Sequence, residues 1–330
     1  MTQTLTETDI ARHLEKLSRV RSEIARVIVG QASVVEQLLI GLLAGGHCML
    51  EGVPGLGKTL LVRVLARTLA LDFRRVQFTP DLMPSDILGT EILEEDHGTG
   101  KRSFLFQKGP VFTNLLLADE LNRTPPKTQA ALLEAMQEHT VSYAGKTYPL
   151  PEPFFVLATQ NPLEQSGTYP LPEAQLDRFL LHIRVEYPSE SEEYAILAQT
   201  TGGMSNVEVC MHGDEVLALQ ELTREVHIGE DLLTWITSLI RASRPDGSAI
   251  KQVTEWVRWG AGPRAGQALV LAAKARALLN GRFSATREDV RILAPPALRH
   301  RLLLSFAAEA ERRSPDDVVK ALLDSVPYPA

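Results

Sequence analysis

The eight residues from Gly52 to Thr59 read GVPGLGKT. Gly52, Gly55 and Gly57, spaced around Pro54, free the backbone to fold its N–H groups inward, and the helix expected next turns its positive end to the same point. Such a loop wraps phosphates. Lys58 would lie against the β- and γ-phosphates of a nucleotide, Thr59 would give its hydroxyl to a bridging Mg²⁺, and Leu60 would continue the first helical turn that faces them. A glycine turn that merely caps a helix is the competing reading. The strand and helix expected on either side weigh against it.

Further along, LLLADE, Leu115 to Glu120, ends an apolar run in two carboxylates. At the carboxyl end of a buried strand in an open α/β sheet, the pair would stand beside the phosphate loop. Asp119 would hold the Mg²⁺ shell, and Glu120 would orient or deprotonate the attacking water, because a weak nucleophile needs a positioned base. Alone, the same run also fits an ordinary strand and a solvated turn. Asn161 closes FFVLATQN, so its amide could reach the same water or the γ-phosphate, although an asparagine before Pro162 is equally a turn residue. Arg178 in LDRF and Arg264 in GPRA are isolated cations that could offset phosphate charge or simply sit in solvent.

Positioning these groups requires strands and helices in alternation, the pattern of a parallel sheet covered on both faces. Val34, Val35, Leu38, Leu39, Leu42 and Leu43 recur at helical spacing, and so do Val62, Leu65, Ala66 and Leu69 after the glycine loop. Strands are predicted at His47 to Leu50, Phe73 to Phe78, Leu115 to Asp119, Phe154 to Thr159 and Leu180 to Val185; several are the near-continuous apolar runs of buried parallel strands. Thr79 to Phe112 is rich in Gly, Pro and charge, with Glu94, Glu95 and Asp96 ahead of a Gly98-Thr99-Gly100 turn. It reads as an insertion outside the core. Val141 to Leu150 reads as a hairpin turning at Ala144-Gly145. Composition changes after Pro188, which places a domain boundary there: residues 1–188, then a helical region at 189–330. Its helix starts are Ser189 with Glu192, Thr286 with Asp289, and Ser314-Pro315 with Asp317.

A chain of 330 residues fits two domains. With 34 Lys and Arg against 41 Asp and Glu, the formal charge of -7 provides no general positive field for nucleic acid or anionic lipid. Cys48 and Cys210 have no metal or redox spacing and read as small buried apolar residues, consistent with a reducing cytoplasm. The acidic N-terminal residues Glu7, Asp9 and Glu15 do not suggest a signal peptide, and the apolar stretch Leu38 to Leu50 is too short to span a bilayer.

Phosphate loop, acidic strand end, Asn161, Arg178 and Arg264 stand in the order of an AAA+ ATPase. More narrowly, VGQASVVEQLLIGLLAGGHCMLEGVPGLGKT, FTPDLMPSDILGT, LLLADELNRTPPKTQAALLEAMQE, ATQNPLEQSGTYPLPEAQLDRF and EDVRILAPPALRHRL resemble the MoxR family, from about Val27 to Leu302. The resemblance implies an αβα core with a five-stranded parallel sheet, then a small all-helical lid. It also implies a homo-oligomeric ring, usually of six, with ATP and Mg²⁺ between subunits. Asn161 matches the first sensor, Arg264 the second sensor on the lid, and Arg178 the arginine finger that reaches a neighbour's nucleotide. Gly30 and Gln31 match the segment flanking adenine. Thr79 to Phe112 matches the insert within the second helix, and Val141 to Leu150 the hairpin before the first sensor, both facing the ring's pore or axial surface. Cys48 stands where a bulkier aliphatic residue is common, a packing variation.

Three functions share this fold. A chaperone-like motor would remodel or mature a client protein, with a partner carrying a von Willebrand factor A domain, as the resemblance implies. A nucleic-acid motor would need basic hairpins to track phosphates, but the expected hairpin offers only Lys146 between acidic flanks, so no nucleic-acid partner is expected. A metal-chelatase subunit shares the fold and the insert.

Overall fold

A computed structural model of the chain describes residues 7–95, 102–162, 167–200 and 207–329. Its strands are β1 (His47–Glu51), β2 (Phe73–Gln77), β3 (Gly89–Glu95), β4 (Arg102–Lys108), β5 (Leu115–Asp119), β6 (Thr140–Tyr143), β7 (Lys146–Pro149), β8 (Phe155–Gln160), β9 (Phe179–Arg184), β10 (Val257–Trp259) and β11 (Leu303–Leu304). Five of these form one parallel sheet in the order β2-β5-β8-β1-β9. Period-two geometry sends alternate residues to opposite faces. Cys48, Leu50, Leu115, Leu117, Phe155 and Leu157 enter one apolar cluster, whereas Met49, Leu116, Ala118, Val156 and Ala158 enter the other. The strands buried on both faces, β1, β5, β8 and β9, are apolar at most positions and so legible as runs, whereas edge strand β2 buries only Val76.

The helices are α1 (Glu7–Val27), α2 (Ala32–Leu43), α3 (Lys58–Thr68), α4 (Pro84–Leu88), α5 (Pro126–Glu138), α6 (Glu173–Leu176), α7 (Glu190–Thr200), α8 (Gly213–Glu225), α9 (Glu230–Ala242), α10 (Lys251–Trp256), α11 (Pro263–Leu279), α12 (Arg287–Leu298), α13 (Phe306–Ala310) and α14 (Pro315–Ser325). The three expected caps form. Ser189, Thr286 and Ser314 each exchange backbone and side-chain hydrogen bonds with the acid three residues on, at the starts of α7, α12 and α14. Asp289 serves as more than a cap. It is fully buried and, although burial opposes its charge, donors from Arg282, Thr286 and Arg276 hold its pKa down at about 2.

Two expectations are corrected. The region after Pro188 is not all helical, because β10 and β11 pair as a short antiparallel ribbon. Nor is the whole of Thr79 to Phe112 outside the core. The antiparallel β3 and β4 are largely exposed, but Ile87 and Val111 at their base are fully buried with Phe78 and α5 residues. The expected Gly98-Thr99-Gly100 turn lies outside the described residues. The second hairpin, β6 and β7, turns at Ala144-Gly145, both at positive φ as a tight two-residue hairpin demands. Phe106 of β4 stacks on Tyr148 of β7 with centroids 4.4 Å apart, so the two hairpins touch.

The helices after Pro188 do not form a separate core. Val216, Leu219, Trp235, Ala272, Val290 and Val318 share one apolar cluster with α2, α3 and a face of the sheet. Cys48 and Cys210 are both buried in that cluster, and burial pushes both thiols up, which leaves them inert.

Candidate active site

Parallel pairing aligns the carboxyl ends of the strands. Gln77 lies opposite Asp119, and Glu51, from which the phosphate loop departs, lies opposite Gln160. Gly55 and Gly57 take φ of 88° and 71°, and a Cβ on either would meet nothing within 4 Å, so the loop arches into open space. Gly57 is the N-cap of α3 and offers no side chain to its first N–H groups, which leaves those donors to an anion. Lys58, at the first position of α3, donates to the Gly52 carbonyl across the loop. Its half-burial lowers its pKa against the pull of Asp119 and Glu120. Thr59 follows, half-buried, with Leu60 beside it. Glycines, uncapped N–H groups, lysine and hydroxyl are the donor set that a nucleotide's phosphates and a Mg²⁺ ion require.

Asp119 ends β5, and Glu120 turns away from it at φ 58° and ψ 50°. This left-handed backbone costs a side-chain-bearing residue about 1–2 kcal/mol and is kept where a side chain must be aimed. Thr159 of β8 fixes both acids: its hydroxyl donates to Asp119 Oδ1 at 2.6 Å and accepts the Glu120 N–H at 2.8 Å. Arg75 of β2 donates twice to Asp119 Oδ2, at 2.6 and 3.0 Å. Glu120 Oε2 accepts from Gln77 at 2.7 Å and from Arg123 at 2.9 Å. Asn161 is buried just past the end of β8.

The sequence reading missed Thr159, Gln77 and Arg75, and the contact of Arg123 with Glu120. Register beside Asp119 and Glu120 marks the first three, and register is a property of the sheet; Arg123 stands three residues past Glu120, on the turn after β5. Gln31 also meets the loop, its Nε2 donating to the Leu56 carbonyl at 2.8 Å, while Gly30 packs against α7: a Cβ there would strike Glu192 at 2.8–2.9 Å. The cap of α7 and the turn before α2 therefore pack without room for a side chain.

Arg178 and Arg264 lie elsewhere. Both line a cavity of about 260 Å³ with Gly45, Gly46 and His47, at the amino end of β1. Arg178 precedes β9, and Arg264 stands exposed in the first turn of α11. Neither has an ion-pair partner among the described residues. His47 adds no charge there. Burial pushes its pKa down to about 4, and its ring is fixed between the Met136 carbonyl and the Val156 N–H.

Comparison with known proteins agrees with this geometry. Residues 47–181 match the model of the ATPase family associated with various cellular activities, and residues 251–322 match that of an AAA lid domain. Chaperone MoxR1 of Mycobacterium tuberculosis is 44% identical over 321 residues, covering 97% of this chain and 84% of that protein. The chain belongs to the MoxR family of AAA+ ATPases. Protein MoxR of Paracoccus denitrificans is 33% identical, over 92% of this chain and 94% of its own. The fold is also shared with a solved structure: a Cytophaga hutchinsonii protein, solved at 2.00 Å, superposes with a TM-score of 0.91 at 42% identity, covering 98% of both chains. The family fold of α/β core and helical lid is thus the fold described above. Among the described residues, no helix is long and apolar enough to cross a membrane.

Proposed function

We propose that this chain hydrolyses ATP at a site shared between neighbouring copies in a closed ring of about six, and uses the cycle to remodel a client protein. The observation that carries the reading is the separation of the two halves of the site along β1. The phosphate loop leaves its carboxyl end, and Arg178 and Arg264 stand at its amino end. Five strand residues span about 16 Å, farther than an arginine side chain extends, so neither arginine serves the loop of its own chain. Both are free to serve a neighbour's.

Within that site the roles are assigned from the geometry together with the family resemblance. The α3 N-terminus and Lys58 bind the β- and γ-phosphates, and Gly30 with Gln31 borders the adenine. Thr59 and Asp119 would hold Mg²⁺, which supplies charge compensation on the phosphates. Glu120 orients and deprotonates the attacking water, and Asn161 holds that water or the γ-phosphate in place. Arg178, with Arg264 beside it, offsets the charge developing on the transferring group. The name of the M. tuberculosis relative supports a chaperone-like use of the cycle. A partner with a von Willebrand factor A domain rests on the family resemblance alone.

Mixing inactive variants tests the shared site. Arg178→Ala subunits keep their loop and Lys58→Ala subunits keep their arginines, so each alone is nearly inert and the mixture regains activity that rises with protein concentration. An arginine supplied across an interface contributes about 10³–10⁵-fold to turnover. Absence of recovery, where native mass spectrometry shows mixed oligomers, would refute the reading.

A further inference from the structure

Arg301 joins the helical region to the turn that carries Arg178. Its side chain is 4% exposed, and all five of its N–H donors are used. Nε donates to Asp177 Oδ1 at 2.6 Å; Nη2 donates to the Asp177 and Phe179 carbonyls at 3.2 and 2.7 Å. Nη1 donates to the Leu180 carbonyl at 3.2 Å and to the Ala297 carbonyl at the end of α12. Four of the five acceptors thus belong to Asp177, Phe179 and Leu180. The segment wraps the guanidinium on both sides of Arg178, whose own side chain is left to face the cavity.

The two residues before Arg301 extend the same attachment along β9, an edge strand of the sheet. His300 Nε2 lies 3.0 Å from the Phe179 carbonyl, and Arg299 donates to the His182 carbonyl at 2.9 Å and to Asp316 of α14 at 3.0 Å. An edge strand presents backbone groups with no strand to pair them. Here side chains of the helical region meet those carbonyls, so the shape of the Arg178 turn depends on that region being docked.

We propose that Arg301 is a positioning residue for Arg178: it presents the finger to the neighbouring copy and ties that presentation to docking of the helical region on the core. The inference rests on the shared-site reading of Arg178. A planar fork with five donors is what the site uses, and lysine cannot reproduce it.

The test compares Arg301→Gln, Arg301→Lys and the milder Asp177→Asn, each checked for folding by circular dichroism. Arg301→Gln should lower kcat about 10–100-fold, as expected when a reacting group is displaced by about 1 Å, with affinity for a fluorescent ATP analogue within about twofold of the parent. Arg301→Lys should not rescue it. Combined with Arg178→Ala, Arg301→Gln should cost nothing further, because a positioning residue has no effect without the group it positions. Mixed with Lys58→Ala subunits, it should recover activity as Arg178→Ala does. An additive loss in the double variant, weakened nucleotide binding, or an unchanged kcat would each overturn the proposal. If Arg301→Gln does not fold, Asp177→Asn carries the same double-variant test. Failure of the Arg178→Ala mixture alone would strike the shared-site reading, whereas additivity with Arg178→Ala would strike only the role of Arg301.

Discussion

At the carboxyl end of the sheet, each carboxylate that could serve a nucleotide has a cation or amide of its own chain against it: Arg75 on Asp119, Gln77 and Arg123 on Glu120. At the amino end, Arg178 and Arg264 line a cavity in which the nearby carboxylate, Asp177, is spent on Arg301. One end is internally neutralised and the other carries unmatched positive charge. Cations without an ion-pair partner at a solvent-open cavity are available to an opposite charge from outside. On the shared-site reading, the difference means that one end of the chain is arranged to bind a nucleotide and the other to complete another copy's site.

The comparison breaks most sharply at the loop. Lys58→Ala should abolish tight ATP binding, while Glu120→Gln should keep binding and lose about 10²–10⁴-fold in turnover, the usual contribution of a general base. Isothermal titration and steady-state rates separate the two. Wild-type hydrolysis by Glu120→Gln would mean that another group activates the water.

A smaller effect sharpens the idea of internal neutralisation. If Glu120 activates water as proposed, Gln77 competes for its carboxylate oxygen, and a hydrogen bond to a charged group contributes about 1.5–3 kcal/mol. Because Arg123 still holds Glu120, Gln77→Leu should raise basal hydrolysis only about two- to fivefold. A drop in kcat would instead make Gln77 part of the productive arrangement.

The smallest effect at neutral pH concerns Glu51, where the phosphate loop begins. His182 Nε2 lies 3.0 Å from it and Arg184 at 3.5 Å, and these neighbours, His182 foremost, hold its pKa down at about 2 despite burial. A depressed carboxylate stabilises the fold fully above its unfolded pKa, about 4.3, and loses that contribution as pH falls toward 2. Buried Asp289 behaves alike. Thermal melts should therefore be flat in this respect from pH 8 to about 5 and fall below about 4. Glu51→Gln should flatten part of that acid limb, and an unchanged limb would assign it elsewhere.

How much was legible depends on what encodes each feature. Strand positions fell within a residue or two of expectation because a parallel sheet covered on both faces writes itself as apolar runs. Caps at Ser189, Thr286 and Ser314 were readable because both partners lie within one turn. That Lys58, Asp119 and Glu120 gather at one end of the sheet was readable because the glycine loop and the acidic strand end are short local patterns; their roles belong to the proposal. Thr159, Gln77 and Arg301 were not, since each acts through a neighbour 39 to 124 residues away. On edge strand β2, Arg75 and Gln77 look like an ordinary solvated face. The β10–β11 ribbon, three and two residues long, is too short to show a period.

The opposed half-sites also constrain symmetry. If catalysis needs the amino end of one copy against the loop end of the next, a two-fold dimer, which joins like surface to like, completes no site. Only a head-to-tail contact does, and an open row of such contacts always leaves one loop without arginines and one set of arginines without a loop. Closing the row uses both spare ends, so the geometry that divides the site along β1 also gives every copy in a ring a complete one, whereas an open row always has one complete site fewer than it has copies.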